Sequence, residues 1–266
     1  MSSSSLSPLT MKSSSKVGDT RISTTFLYRL CGLALMVALP LYLVGELIHP
    51  PSEDVRYLVL PTYPLAHALD LGAFLLVLLA MPGFYARQAG RAGRLGLLGF
   101  IITMLFLAGS CELLMWEAFG APRLASNPAT SYLVVPILPG AKPMAGAIGL
   151  MANGALGTIG RFVVLLALTV LGPIVLGAAT WRARVYPRWS GILQIGSVVF
   201  LPLFALIQVG LGKLGFFNAD LSVIGLSYGT VLLGYAWGGF VLWRQGLPVA
   251  ARAPSAAESV APVAGA

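Results

Sequence analysis

Charged side chains are scarce in this chain. Asp, Glu, Lys and Arg make up 10% of its 266 residues, whereas 57% of the residues are hydrophobic. Soluble domains carry roughly a quarter charged residues. This composition, with a mean hydropathy of +0.85, excludes an ordinary soluble domain and indicates a protein of the lipid bilayer.

Cysteine and the common catalytic motifs are also scarce or absent. The two cysteines, Cys31 and Cys111, fall near opposite ends of the predicted spans, so no disulfide between them is expected. The chain has no Gly-x-Ser-x-Gly, no His-Glu-x-x-His, no phosphate-binding loop and no Asp-rich diphosphate box. These absences disfavour the common hydrolases, zinc proteases, NTPases and diphosphate-ionising enzymes.

What is present is a series of long apolar runs. Six of them reach or approach the roughly 20 residues that cross a hydrocarbon core. The sequence therefore predicts an all-α bundle of six transmembrane spans within residues 24–246, between a disordered Ser-rich arm (1–23) and a disordered tail (247–266). The predicted spans are Phe26 to Ile48, Pro64 to Phe84, Leu95 to Phe119, Gly160 to Trp181, Gly191 to Leu214 and Leu221 to Trp243.

The 17 basic residues set the predicted orientation. They fall in short clusters between the runs, which is typical of a topology signal and not of a nucleic-acid partner. One side collects Lys12, Lys16, Arg21, Arg87, Arg91, Arg94, Arg182, Arg184, Arg188, Arg244 and Arg252, and the other only Arg56, Arg123, Lys142 and Lys213. Both termini are therefore predicted to be cytoplasmic, in the inner (plasma) membrane.

A long connection joins the third and fourth spans on the outer side. Residues 120–159 exceed ordinary loop length, so they are a candidate lid, with the apolar strip Tyr132 to Leu138 over a pocket mouth. The Gly-rich segment Met144 to Thr158 is too short to cross the membrane. It is predicted to be a re-entrant or interfacial half-helix before span four.

Four chemically versatile residues meet at the outer ends of the first two spans. Glu46 and His49 share one helix face at i,i+3 spacing, and so do His67 and Asp70. One interpretation is a hydrogen-bonded network, and another is a divalent-metal site, since Glu, His and Asp are ligands of zinc and iron. Haem ligation by the two histidines is a lesser alternative.

The third run carries two carboxylates inside the membrane, Glu112 and Glu117. Such groups usually face a bundle interior and are paired or functional. One interpretation is that Arg161 neutralises one of them. Because Glu112 lies deeper than Glu117, we predict that Glu112 is the working acid and that Glu117 is the structural partner of Arg161.

A carboxylic acid in an apolar pocket can act as a general acid. Glu112, Glu117 and Asp70 are therefore the candidate catalytic residues. Such an acid could protonate an isoprenoid alkene or epoxide, and aromatic faces would stabilise the cation. The candidate ligand-binding residues are Trp116, Phe119, Tyr42, Arg161 and Gln208.

Several motifs resemble a large group of uncharacterised bacterial multi-pass membrane proteins. They are Tyr28 to Leu33, Ala66-His67, Pro82 to Ala89, Gly93 to Gly96 and Arg184 to Gly191. The likeness covers most of the spans and implies topology, with no activity attached. Trp116-Glu117 also resembles the Trp-Glu pair of integral-membrane terpene cyclases.

The sequence thus predicts an outward-facing intramembrane pocket that binds or handles an apolar or amphipathic small molecule. An acid-initiated terpene (isoprenoid) cyclase and a transporter are the alternatives. Cofactors and oligomeric state stay open at this point.

Overall fold

The computed structural model describes residues 23–50, 55–127, 129–130, 154–203, 206 and 223–245. Within these ranges the regular structure is helical, with no strand. The helices are α1 (Thr24–Ile48), α2 (Val55–Leu58), α3 (Thr62–Met115), α4 (Ala121–Ser126), α5 (Gly154–Ala183), α6 (Arg188–Val199) and α7 (Val223–Gln245), and a π-helical segment, Trp116–Gly120, joins α3 to α4.

Three helical stretches of the described chain are long and apolar enough to cross a membrane. They are Thr24–Ile48, Thr62–Ser126 and Val163–Ala183. The predicted all-α membrane class agrees with this finding. The number of six spans is not established by the described residues and stays a prediction.

Local signals in the sequence set the ends of α1. The Ser23 hydroxyl accepts a hydrogen bond of 3.1 Å from the Phe26 amide, which satisfies one of the free N–H groups of the first turn. At the other end His49 is extended, as the residue before a proline prefers to be, and Pro50 follows. Pro40 lies within the helix.

Helix α3 is two helices joined at Gly93. This glycine has φ 59° and ψ −152°, a conformation that is essentially restricted to glycine. The Tyr85 and Phe100 rings stack at 4.6 Å, and the Phe74 and Phe106 rings lie 6.1 Å apart. The two arms of α3 therefore run antiparallel, and the predicted connection between the second and third spans is helical on both sides of Gly93.

The longer helices form a closed ring in which each neighbour runs antiparallel to the next. Glycines make most of the close approaches. Gly83 lies against Cys31 (first arm of α3 and α1), Gly99 against Leu176 (second arm and α5), Gly177 against Gly191 (α5 and α6), Gly234 against Ser190 (α7 and α6), and Gly239 against Gly32 (α7 and α1). Gly234 of α7 thus packs inside the bundle.

The antiparallel ring separates charge between its two ends. The four carboxylates of the described residues lie toward one end, which we name the acidic end: Glu46, Asp70, Glu112 and Glu117. Eight arginines lie toward the opposite, basic end: Arg29, Arg87, Arg91, Arg94, Arg182, Arg184, Arg188 and Arg244. Arg123 is at the acidic end.

Two predicted elements differ from the structure. Helix α6 ends at Val199, three residues before Pro202, which lacks an N–H donor and clashes with the preceding turn. The backbone is helical again at residues 201–203. The fifth run is therefore not one continuous helix. Residues 154–158 of the predicted half-helix are the start of α5, and its residues 144–153 lie outside the described chain.

Candidate functional site

Five ionisable side chains meet at the acidic end, and we name them the histidine–carboxylate cluster: Glu46, His49, His67, Asp70 and Glu117. The His49 and His67 rings contact each other edge to face, with centroids 4.8 Å apart. The charges of Glu46 and His49 act on Asp70. The structure thus brings together the four residues predicted from the i,i+3 pairs and adds Glu117 to them.

His67 and Glu117 form a buried contact across which a proton can be shared. His67 Nδ1 lies 2.9 Å from the Tyr63 carbonyl oxygen, which can only accept, so Nδ1 carries a hydrogen. His67 Nε2 lies 3.4 Å from Glu117 Oε2. Either the imidazolium donates to the carboxylate, or the neutral carboxylic acid donates to the ring nitrogen. The pair is therefore a proton donor or acceptor buried at the acidic end.

Asp70 is the most enclosed carboxylate of the cluster, with 4% of its surface exposed. Its Oδ1 atom is buried and has no hydrogen-bond partner among the described residues. It packs directly on Gly45 of α1, where a Cβ atom would collide with the carboxylate. A buried acceptor without a donor is costly, so this atom is a place for a ligand to donate a hydrogen bond.

An aromatic layer lies one helical turn below Asp70 and is formed by Phe74, Phe106 and Tyr228. Their ring centroids are 5.5–6.1 Å apart. Tyr42 joins this layer to the cluster, because its ring lies 6.3 Å from Phe74 and its hydroxyl donates to the Gly225 carbonyl oxygen at 3.1 Å. The cluster therefore has a polar upper side and an aromatic floor.

The predicted metal site is not arranged in the described residues, and haem ligation by the two histidines stays a prediction. No group of three or more His, Cys, Asp or Glu side chains within the described residues is arranged to hold a metal ion. Both ring nitrogens of His67 are already engaged, by Tyr63 and by Glu117. His49 Nδ1 faces the Pro50 carbonyl oxygen at 2.7 Å. In the described residues the quartet is therefore not arranged around a common metal position, and one of its members, His67, contacts Glu117 instead.

The two carboxylates of the third run, Glu112 and Glu117, are shielded in the reverse order from that predicted. Glu112 is exposed on the outside of the bundle, whereas the Glu117 side chain is only 12% exposed and lies in the cluster. A difference of five residues turns a helix by about 140°, so only one of the two can face inward. Greater depth along the helix did not make Glu112 the shielded acid, so the predicted shielding of Glu112 is wrong, while its role as the working acid stays a prediction.

The outer face around Glu112 forms a shallow, open groove. It is lined by Glu112, Met115, Trp116, Phe119, Gly120, Arg123 and Leu124. Phe119, predicted to bind a ligand beside the working acid, lies with Glu112 on the exposed outer face. Trp116, predicted for the same role, is half-buried and packs against Leu58, Tyr63 and Ala121, with its indole nitrogen buried. The Arg161 side chain and Gln208 lie outside the described residues.

A small apolar cap covers the acidic end and consists of Leu58, Tyr63 and Ala121, each fully buried. The Tyr63 ring lies 4.2 Å from the His67 ring, so the cap closes directly over the cluster. The start of the predicted lid, residues 120–126, is helical. The strip Tyr132 to Leu138 lies outside the described residues.

The sequence analysis missed two residues of the site, Tyr63 and Gly45. The spacing of Tyr63 and His67, one helical turn apart, could have identified Tyr63. Nothing in the sequence distinguishes Gly45 from the other glycines of the spans. Comparison of the chain with protein-family models, curated proteins and solved structures found no match.

Proposed function

We propose that this protein is a six-span protein of the bacterial inner membrane that binds an amphipathic amine at its outward-facing histidine–carboxylate cluster. The observation that carries the proposal is the unpartnered Oδ1 of buried Asp70, with Glu46 beside it. An ammonium group supplies N–H donors and positive charge, which this site is built to accept.

The aromatic floor supports an amphipathic ligand. Phe74, Phe106 and Tyr228 lie one turn, about 6 Å, below the Asp70 carboxylate. Aromatic faces attract a cation that comes close to them and bury the apolar chain that carries it. An alkyl amine would thus place its head at Asp70 and its chain against this layer.

Asp70→Asn should weaken binding of dodecylamine about 10- to 150-fold, because it replaces a charge-assisted hydrogen bond of roughly 1.5–3 kcal/mol with a neutral contact. Equilibrium binding of labelled dodecylamine to purified protein in nanodiscs measures this change. Dodecanoate, with the same chain and the opposite charge, should bind neither the wild type nor the variant.

Glu112→Gln is the matched control. It removes a carboxylate at the same end of the bundle, but one on the exposed outer face. Binding should stay within about twofold of wild type. Equal losses in Asp70→Asn and Glu112→Gln would show that the amine responds only to the charge of the membrane surface, and the proposed site would be rejected.

The orientation of the bundle has its own test. Reporter fusions after Arg94 and after Arg188, both at the basic end, should report the cytoplasm, because clustered arginines stay inside. A fusion at Ser126, at the acidic end, should report the exterior. An exterior signal at Arg188 beside a cytoplasmic signal at Arg94 would contradict the placement of both arginines at one end of the bundle.

Isoprenoid cyclisation is the second candidate function. The observation that favours it is the position of Glu117, a proton-sharing acid whose charge also acts on the Tyr228 ring of the aromatic floor. An acid above aromatic faces is the arrangement that protonates an alkene and stabilises the cation formed. Incubation of membranes with squalene or a polyprenyl epoxide tests it, since a cyclase must release an isomer of the added isoprenoid.

A further inference from the structure

A second polar cluster lies inside the basic half of the bundle, and we name it the inner amide cluster: Gln88, Thr180, Ser190 and Gln194. All four side chains are fully buried. Gln88 Nε2 donates to Thr180 Oγ1 at 3.2 Å, and Gln194 Nε2 lies 3.5 Å from Ser190 Oγ. These hydrogen bonds use the amide nitrogens of Gln88 and Gln194 and leave their amide oxygens available.

The two amide oxygens, Gln88 Oε1 and Gln194 Oε1, have no hydrogen-bond partner among the described residues. The same is true of Ser110 Oγ and Asp70 Oδ1 nearer the acidic end. Each of these four atoms can accept a hydrogen bond. Buried polar atoms of this kind are normally satisfied by internal water, which makes about three hydrogen bonds each.

These acceptors lie at successive depths of one bundle. Asp70 and Gln88 are 18 residues apart on the first arm of α3, which is five full turns, so both point to the same side over about 27 Å. That distance is close to the hydrocarbon thickness of about 30 Å. The acceptors therefore extend from the histidine–carboxylate cluster to the basic end.

Tyrosine hydroxyls occupy the middle of this path. Tyr228 and Tyr235 lie two turns apart on α7, and their rings pack on Phe74 and Phe84 of α3 at 5.5 and 5.9 Å. Thr103 Oγ1, on the second arm of α3, is a further buried oxygen without a hydrogen-bond partner among the described residues, and it faces Gly172 of α5. A polar group therefore recurs about every two turns through the aromatic and apolar core.

We propose that this line of buried oxygens orients a file of water molecules that carries protons between the histidine–carboxylate cluster and the basic end. At the acidic end the proton is exchanged with the His67–Glu117 pair or with Asp70, whose charged neighbours are Glu46 and His49. Along the file each water receives a proton on its oxygen and passes a different proton onward, so no side chain between the ends changes charge. At the basic end the proton leaves past Gln88, next to Arg87.

The hydroxyl at mid-depth provides the sharpest test. Thr103→Val keeps the shape of the side chain and removes this buried, unpartnered oxygen. Thr230→Val is the matched control, because the Thr230 hydroxyl donates to the Leu226 carbonyl oxygen of its own helix at 2.8 Å and lies off the path. Both variants keep the charge of the protein unchanged.

The experiment uses the full chain in liposomes that contain a pH-sensitive dye, with a potassium diffusion potential set by valinomycin. Wild type should acidify or alkalinise the lumen faster than protein-free liposomes, in the direction of the applied potential. Thr103→Val and Asp70→Asn should each lower that rate at least tenfold, and Thr230→Val should keep it within about twofold. Gln88→Leu should also lower it, which places the path through the inner amide cluster.

The result that would overturn the inference is a wild-type rate equal to that of protein-free liposomes, or equal rates in Thr103→Val and Thr230→Val. Thermal unfolding of each preparation shows that the proteins are folded, and dodecylamine binding by the wild type and the threonine variants separates the two proposals. Binding without proton flux rejects the proton path and leaves the amine site intact. Proton flux without dodecylamine binding rejects the amine site and leaves the proton path intact.

Discussion

Gly99→Ala should destabilise the folded bundle by about 3 kcal/mol, near the upper end of what one added methyl group costs in a packed core. A Cβ atom at Gly99 would lie 2.6 Å from the Leu176 amide nitrogen and 2.7 Å from its Cα. Both are backbone atoms of α5, so no side chain can rotate away. The second arm of α3 and α5 would have to separate along their length, and the contact at Thr103 with Gly172 would open with them.

Gly90→Ala is the matched control on the same helix. Its added methyl group meets no atom within 4 Å, and the residue is helical and exposed. Alanine there should stabilise the protein by roughly 0.5–1 kcal/mol, because it reduces the freedom of the unfolded chain. The free energy of unfolding, measured by SDS titration in mixed micelles, compares the two. Similar values for both variants would contradict the close approach at Gly99.

The sequence predicted the helices well where proline and charge define their ends. Helix α1 differs from the predicted first span by two residues at its start and none at its end, because Ser23 and Pro50 give local signals. For the turn of the α3 hairpin, the sequence predicted only that it lies in the Arg-rich connection between the second and third spans. Its position depends on the backbone conformation of Gly93, and Gly90, three residues earlier, looks the same in sequence but stays helical.

The sequence could not identify which face of each helix is inside. In a soluble protein the exposed face is polar, but in a bilayer the lipid-facing side is as apolar as the core. Leu105 and Phe119 are therefore exposed while Leu107 and Phe106 are buried, with no difference in hydropathy to separate them. The same ambiguity put Glu112 in the predicted site. The helical angle showed that Glu112 and Glu117 face different ways, but only the packed structure identifies the inner one.

Helical spacing was more informative for residues that form a pair on one helix. The i,i+3 pairs Glu46/His49 and His67/Asp70 do come together across α1 and α3, because both pairs sit at the facing ends of adjacent antiparallel helices. Which groups these side chains contact depends on the tertiary packing. The engagement of His67 by the Tyr63 carbonyl and by Glu117 turns a predicted metal quartet into a proton-sharing pair.

Gly45→Ala should abolish amine binding even though it leaves every charged residue of the cluster in place. The added Cβ would collide with Asp70 Oδ1, and it would lie 3.0 Å from the Ala66 carbonyl oxygen, which cannot move without distorting α3. The Asp70 side chain must therefore leave its position over the aromatic layer. We expect dodecylamine affinity to fall at least tenfold and the free energy of unfolding to fall by about 1–3 kcal/mol.

Gly72→Ala separates this effect from general crowding between α1 and α3. It adds a methyl group to the same helix interface, but its nearest neighbour is Leu41 Cδ2 at 3.1 Å, the far end of a flexible side chain that can rotate. Its binding should stay near wild type, and its stability should change by less than that of Gly45→Ala. If Gly45→Ala binds dodecylamine as well as Gly72→Ala does, the amine does not sit at Asp70. The acceptor that carries the proposed function would then have to be sought elsewhere in the cluster, at Glu46 or Glu117.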